Sequence, residues 1–387
     1  MSLFGGERVR IPKIRDFLVQ HYFGENRHTA VALLGKPGIG KTTAVEEAAQ
    51  IIAKRLKLPF VNYTDQAGEE LLQSGKRAFI YHNIPMVEHE PSDLTGIPKE
   101  NSGGFVRFRP LLWAKLMSEN PGILLLDDFL DVQRDDLFSV AYKITLERRA
   151  GYLALDPGVM VVIAANTPDV STLSRMMPAP LANRLAIFRA DSPTLSEWYR
   201  WMTWKYGDNW DKRTFAFLSR FEADGYLCRP PKEGETLTQF PTHRSWTKLA
   251  LELRNTRNSI EEVAEAFVGP EVGQKFAAFL RVKVDIEQLI ENPDIWDRQN
   301  LDQRYMLCLE LATWLSRAKE KDLPKVLPVF DKISERRQFP VLVFMCLPQS
   351  KLEKLFSVLF KERPELYQLV DKVLEDKRAI SAGFLEG

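Results

Sequence analysis

The chain has 387 residues, with 53 basic against 52 acidic side chains for a net charge of +1; 45% of the residues are hydrophobic and 27% charged. These values describe a globular protein of two or three domains. They exclude a disordered chain, a collagen, a low-complexity polymer and a basic tail built to neutralise phosphates, though not a local basic patch. Cys228, Cys308 and Cys346 lie too far apart for a metal-ligand spacing and read as buried thiols of a reducing compartment. The longest apolar run, residues 341–347, is far short of the ~20 residues a membrane span needs, and residues 1–8 show no apolar signal core. A cytoplasmic protein without a membrane partner is expected.

In chain order, the spacing of Ile14, Phe17, Leu18, Tyr22 and Phe23 predicts a helix over 11–23. A short apolar run over 29–34 leads into a glycine-rich turn, and the Ala- and Glu-rich stretch 43–56 reads as a second helix. Strands are expected over 59–63 and 78–81, and a short helix over 111–117. Residues 122–126 form a continuous apolar run closed by Asp127 and Asp128, the pattern of a parallel strand covered on both faces. A helix over 137–146, a second buried strand over 159–165 ending at Asn166, a helical turn over 180–185 and a last strand over 186–189 complete an alternating α/β pattern. Beyond residue 191 strand signals fade: tryptophans cluster at 198, 201, 204 and 210, residues 226–241 read as a loop, and helices are expected over 243–254 and 260–268. The rest reads as helices punctuated by Pro324, Pro328, Pro340, Pro348 and Pro364, without an internal repeat.

The string GKPGIGKTT at 35–43 fits the phosphate-cradle pattern G-x-x-x-x-G-K-[ST]. Gly35, Gly38 and Gly40, with Pro37 and Ile39 between them, let the backbone wrap a phosphate chain without Cβ clashes. The amides through Thr43 then meet the anion at a helix N-terminus. Lys41 is placed to reach the β- and γ-phosphates of ATP and Thr42 to ligate Mg²⁺. The strand ending in Asp127 delivers a carboxylate at the end where parallel sheets bind ligands, so Asp127 is expected to hold Mg²⁺, through water, and Asp128 to orient or deprotonate the attacking water. Asn166 ends another buried strand and can bond both that water and a γ-phosphate oxygen. Asp131, Asp135 and Asp136 read as a solvated helix start.

These elements in this order resemble AAA+ ATPases of the MoxR and dynein-related branch, over residues 11–190. The supporting strings are EPSDLTGIP at 90–98, ERRAGYL at 147–153, PAPLANRL at 178–185 and PTHRSW at 241–246. The resemblance implies that Asn166 is a sensor of the γ-phosphate, that Arg184 reaches the γ-phosphate of a neighbouring subunit and that Arg244 contacts the nucleotide from a lid. Competing readings stay open: Arg184 as a surface charge with Arg148, Arg149, Arg175 and Arg189 as rival fingers, and Arg244 as a structural ion-pair partner. The family usually carries Glu where this chain has Asp128, one methylene shorter, which points to slow turnover.

The expected fold is therefore an α/β P-loop NTPase module with a parallel sheet over 1–190, an all-α lid over 191–268 and a helical C-terminal extension over 269–387. The expected function is ATP hydrolysis in a homo-oligomeric ring, a hexamer, that remodels a protein client. Many relatives work with a partner carrying a von Willebrand factor A domain. A nucleic-acid motor or loader on the same fold, and a nucleotide-gated scaffold that barely hydrolyses ATP, are the alternatives. Two segments are candidates to touch the client: 99–109, where Phe105, Arg107, Phe108 and Arg109 alternate aromatic and basic, and 151–157. Residues 203–210 and 275–281 read as packing.

Overall fold

The computed structural model describes residues 8–100, 103–167, 174–230, 238–255, 259–369 and 371–373. The opening residues 1–7, Gly234 in the expected loop, Asn101 and Ser102 of the hairpin segment and the charged C-terminal run lie outside these. The chain forms two compact units, Met1–Pro193 and Thr194–Gly387.

The first unit is an α/β P-loop NTPase fold. In chain order its elements are β1 (Arg8–Arg10), α1 (Ile11–Phe23), β2 (Val31–Gly35), α2 (Lys41–Arg55), β3 (Phe60–Asn62), α3 (Asp65–Ser74), β4 (Phe79–Pro85), α4 (Ser92–Thr95), β5 (Ile97–Glu100) and β6 (Val106–Arg109). They continue with α5 (Leu112–Met117), β7 (Gly122–Asp127), α6 (Asp135–Glu147), β8 (Arg149–Ala150), β9 (Leu153–Ala154), β10 (Val159–Ala165), α7 (Ala179–Ala182) and β11 (Ala186–Asp191). Seven strands pair in the order β1-β11-β2-β10-β7-β4-β3, every pair parallel.

The central strands β2, β7 and β10 are aliphatic on both sides because both sheet faces are covered. On one face Leu124, Leu126, Val161 and Ile163 cluster with Trp113 and Met117 of α5 and with Phe138, Ala141 and Ile144 of α6. The other face is covered by α2, which touches β7, β4, β10 and β3. Strand β1 was not expected from the sequence: three residues, Arg-Val-Arg, are too few to show an alternation, and the strand exists through its register with β11. Likewise β4 runs on to Pro85, past the expected end at 81, because it stays paired with β7 as far as Asp127.

Two antiparallel hairpins project from the module, β5–β6 and β8–β9. The turn of the second meets the residues leading into the first: Gly151 has φ +58°, and a Cβ there would stand 2.3 Å from the Thr95 carbonyl oxygen. Strands β5 and β6 are exposed along their whole length.

The second unit is helical: α8 (Leu195–Tyr206), α9 (Lys212–Arg220), α10 (His243–Glu252), α11 (Ile260–Val268), α12 (Pro270–Leu280), α13 (Ile286–Glu291), α14 (Leu301–Arg317), α15 (Leu327–Ile333), α16 (Gln338–Cys346) and α17 (Gln349–Glu362). Reciprocal capping boxes start α8 (Thr194 with Glu197), α10 (Thr242 with Ser245) and α14 (Asn300 with Gln303). One apolar cluster extends from Leu195 to Val373. The tryptophan-rich stretch packs into it: Trp198 and Trp210 meet edge to face at 5.6 Å, and the Lys212 ammonium sits 3.5 Å over the Trp210 ring.

Candidate nucleotide site

The sheet order decides where ligands can sit. From β2 the chain crosses through α2 toward the β3 edge, whereas from β10 it crosses through α7 to β11 on the other side. The carboxyl ends of β2 and β10 therefore flank the point where the connections diverge, the usual crevice of an open parallel sheet. Strand β10 lies between β2 and β7, so Asn166 emerges between the glycine-rich turn and the Asp127–Asp128 pair.

The turn needs its glycines. Gly38 and Gly40 have φ of 73° and 100°, the left-handed region that side chains resist. At Gly35 a Cβ would come within 2.7 Å of the Ala190 carbonyl oxygen. Helix α2 starts at Lys41, two residues before the expected start, with Gly40 as its N-cap; Pro37, Gly38 and Gly40 stay partly open, Ile39 is buried, and Thr42 and Thr43 face out of the first turn partly exposed.

Lys41 is buried, and its Nζ donates to Gly35 O at 2.8 Å, Lys36 O at 2.9 Å and Asn166 Oδ1 at 3.1 Å. The Thr42 hydroxyl donates to Asp127 Oδ2 at 2.7 Å, and Asp127 Oδ1 accepts from the Asp128 amide at 3.0 Å. Asp128 adopts the left-handed conformation, φ 50° and ψ 33°, which Asp tolerates better than most residues. Backbone held in this region is characteristic of sites where the chain must re-aim a side chain. The Asn166 amide nitrogen donates to Asp131 Oδ2 at 2.9 Å and faces Asp128 Oδ1 at 3.5 Å.

Asp131 corrects the sequence reading. Instead of starting a solvated helix it accepts from Asn166 and from the Ser174 hydroxyl, and so fixes which way the Asn166 amide points. Its spacing from Asp128, on a one-turn helix that carries no periodic signal, hid this role. Tyr81 and Asn83 were missed as well. They lie on β4 beside Ile123 and Leu125 in register, on the face that leads to Asp127. The Tyr81 hydroxyl and Asn83 Oδ1 are buried without a hydrogen-bond partner among the described residues. Burial foremost, then the charges of Glu46 and Asp127, raise the Tyr81 pKa well above the phenol range.

The cradle fits a phosphate chain, since any Cβ at Gly35, Gly38 or Gly40 would clash or strain. The Thr42 hydroxyl and Asp127 carboxylate are hard oxygen donors 2.7 Å apart. That set suits Mg²⁺, which is held by one or two protein ligands, waters and the substrate's own phosphates. Among the described residues no group of three or more His, Cys, Asp or Glu forms a metal cage of its own.

The arginines separate by their surroundings. Arg175 is tied within the chain, donating to Asp135 Oδ1 and Gln133 O at 2.9 Å each and lying 5.0 Å over the Phe138 ring. Arg149 donates to Tyr152 O at 2.6 Å, and Arg148 to Asp156 O and Val159 O. Arg184, two residues past α7, is exposed, and its side chain reaches only the Tyr142 hydroxyl among the described residues, at 3.5 Å. Arg189 lies in β11. Arg244 is exposed in the first turn of α10, in the second unit.

No family model matches the sequence, and no curated relative matches it. Solved structures do. The chain is similar to C. elegans PCH-2 (12% identity, TM-score 0.30), covering 69% of this chain and 66% of PCH-2. It is similar to the ORC2 protein of Aeropyrum pernix, solved as ADPNP–ADP complexes (11% identity, TM-score 0.36, covering 100% and 98%). NtrX from Brucella abortus matches at 14% identity and TM-score 0.31, covering 96% and 69%. At such identities and scores the likenesses assign neither an activity nor a partner. No described helix is long and apolar enough to cross a membrane.

Proposed function

We propose that this chain is a Mg²⁺-dependent ATPase of the AAA+ kind, in its MoxR branch, acting as a homo-oligomeric ring, a hexamer, that remodels a protein client. One observation carries the reading. The Asn166 amide links the Lys41 ammonium to the acids Asp128 and Asp131, on the strand between the glycine cradle and Asp127. Three groups that must act on one phosphoryl transfer are thereby held within hydrogen-bond reach.

In this reading the phosphates of ATP displace the carbonyls that now occupy Lys41. Thr42 and Asp127 would hold Mg²⁺, which would supply positive charge to the phosphate oxygens. Asp128 orients the attacking water and accepts its proton, with Asn166 beside it. Arg184, exposed and uncommitted to an acid among the described residues, supplies the positive charge to a neighbouring subunit's site. Arg244 reads the nucleotide from residues 191–268 acting as a lid, and 269–387 extends it. The exposed hairpin residues Phe105 (70%) and Phe108 (48%) meet the client, with a von Willebrand factor A domain protein as the candidate partner. The shorter acid at Asp128 favours one second reading, a scaffold gated by ATP with little hydrolysis.

Calorimetric titration with ATP tests the assignment. Parent protein binds, and Lys41→Ala loses binding because the Lys41 ammonium is the one held inside the cradle, on the Gly35 and Lys36 carbonyls. Equal affinity in the two proteins overturns the assignment.

A further inference from the structure

The opposite edge of the same sheet carries a different balance of charge. The segments that precede parallel strands all emerge there. They bring Arg27 ahead of β2, Arg55 and Lys57 ahead of β3, Lys76 and Arg77 ahead of β4, and Arg148 ahead of β10. The carboxylates among them are fewer: Glu25, Glu147, Asp156 and Glu119, the last paired with Lys115.

Arg148 is the centre of this cluster. It caps α6 in the left-handed conformation, φ 54°, and its Nη2 donates to Asp156 O at 3.1 Å and Val159 O at 2.7 Å. Its Nη1 is buried with no partner among the described residues. Burial, and then the positive charge of Arg27, hold its pKa below the usual guanidinium range. The Asp156 carboxylate is largely committed: Oδ1 accepts the Gly158 amide at 2.6 Å, and Oδ2 lies 3.9 Å from Arg77. The Tyr22 hydroxyl closes the cluster by donating to Gly158 O at 2.7 Å. The guanidinium groups of Arg77 and Arg148 thus share one carboxylate, and Arg27 adds a third positive charge beside Arg148. Crowding like charges is unfavourable, and a bound anion relieves it. To one side Phe23 is 47% exposed, with the Arg55 guanidinium 5.9 Å from its ring centroid, over a shallow depression of about 490 Å³ that Gln20 and Gly24 complete.

We propose that this edge binds single-stranded nucleic acid, its phosphates on Arg27 and Arg77 and a base on Phe23, with the buried charge of Arg148 behind them. The cations extend over four inter-strand steps from β2 to β3, a track of about 19 Å at about 4.8 Å per step, which suits a chain of regularly spaced phosphates. Guanidinium forks match phosphate oxygens bidentately. An exposed aromatic beside them is the stacking surface that single strands use and duplexes cannot. The proposal stands apart from ATP hydrolysis, since none of these residues belongs to the nucleotide site.

Fluorescence anisotropy with a labelled oligothymidylate of about 20 nucleotides tests it, between about 50 and about 200 mM salt. Parent protein binds with a steep salt dependence. Arg27→Ala with Arg77→Ala weakens binding at least about tenfold and flattens the log–log salt slope by about 1.4, because each single-strand phosphate contact contributes about 0.7. Phe23→Ala weakens it about 5- to 100-fold, as loss of one stacked base does. Arg107→Ala with Arg109→Ala, on the other exposed basic segment, leaves it unchanged. The proposal is overturned if the parent does not bind, if the Arg27/Arg77 variant binds like the parent while calorimetry shows it still takes up ATP, or if the hairpin variant carries the loss. Preferential binding of polyglutamate over the oligonucleotide likewise overturns it and reassigns the edge to an acidic protein segment.

Discussion

The two edges of one sheet handle charge in opposite ways. At the carboxyl edge the groups of the cradle meet their complements within the chain: Lys41 on three oxygens, Thr42 on Asp127, Asn166 between Lys41 and Asp131. At the amino edge Arg77 and Arg148 share Asp156 with Arg27 beside them, and one buried N–H of Arg148 has no acceptor among the described residues. A self-satisfied edge is a site preorganised for a small ligand that must displace specific bonds. An under-neutralised edge is a surface for a polyanion that neutralises by mass of charge.

The contrast can be broken at several points. The largest effect is expected at Arg184, exposed just ahead of β11 and without an acid partner among the described residues. Arg184→Ala lowers turnover by about 10³–10⁵-fold, the worth of an arginine finger. Mixing Arg184→Ala with Lys41→Ala subunits restores part of it at mixed interfaces; a dead mixture of assembled rings removes the role in trans. Next comes Asp128. Asp128→Asn keeps ATP and Mg²⁺ binding but lowers hydrolysis by about 10²–10⁴-fold, since an amide cannot take the proton. Asp128→Glu equals or exceeds the parent. Normal hydrolysis by Asp128→Asn moves the base elsewhere.

Asp131 sharpens the picture, because it acts through Asn166 and not on the phosphate. Asp131→Ala lowers kcat about 10- to 100-fold, the scale of a lost charge-assisted hydrogen bond, with KM for ATP little changed. Asp131→Asn, whose carbonyl still accepts from Asn166, recovers most of the rate. A loss confined to protein yield, or one shared equally by both variants, reduces Asp131 to a structural residue. The smallest effect belongs to the other edge: Arg27→Ala with Arg77→Ala leaves ATP turnover without nucleic acid within about twofold, surface changes remote from a site being nearly neutral.

How far the sequence reached follows the same division. The glycine cradle, Lys41, Thr42, Asp127 and Asn166 were legible because each lies at a fixed offset from an apolar strand or helix start. Asp131 was not: its partner Asn166 is 35 residues away, and only the adjacency of β7 and β10 brings them together. The amino-edge cluster escaped for a like reason, being assembled from loops before four different strands. Strand β1 was too short to read, and β4 was cut at 81 because His82 and Asn83 break its apolar run although its pairing with β7 continues. In the second unit helices were legible from periodicity, but nothing in those helices announced chemistry. Their aromatic residues form the core, as with Trp246, fully buried and donating to Tyr226 O at 2.7 Å.

Single-turnover release of phosphate from ATP, with protein in excess over nucleotide and Mg²⁺ present, tests the central claim most directly. The account predicts one exponential phase in the parent protein that disappears in Asp128→Asn while ATP stays bound. A parent protein that binds ATP as tightly but releases no more phosphate than Lys41→Ala contradicts it.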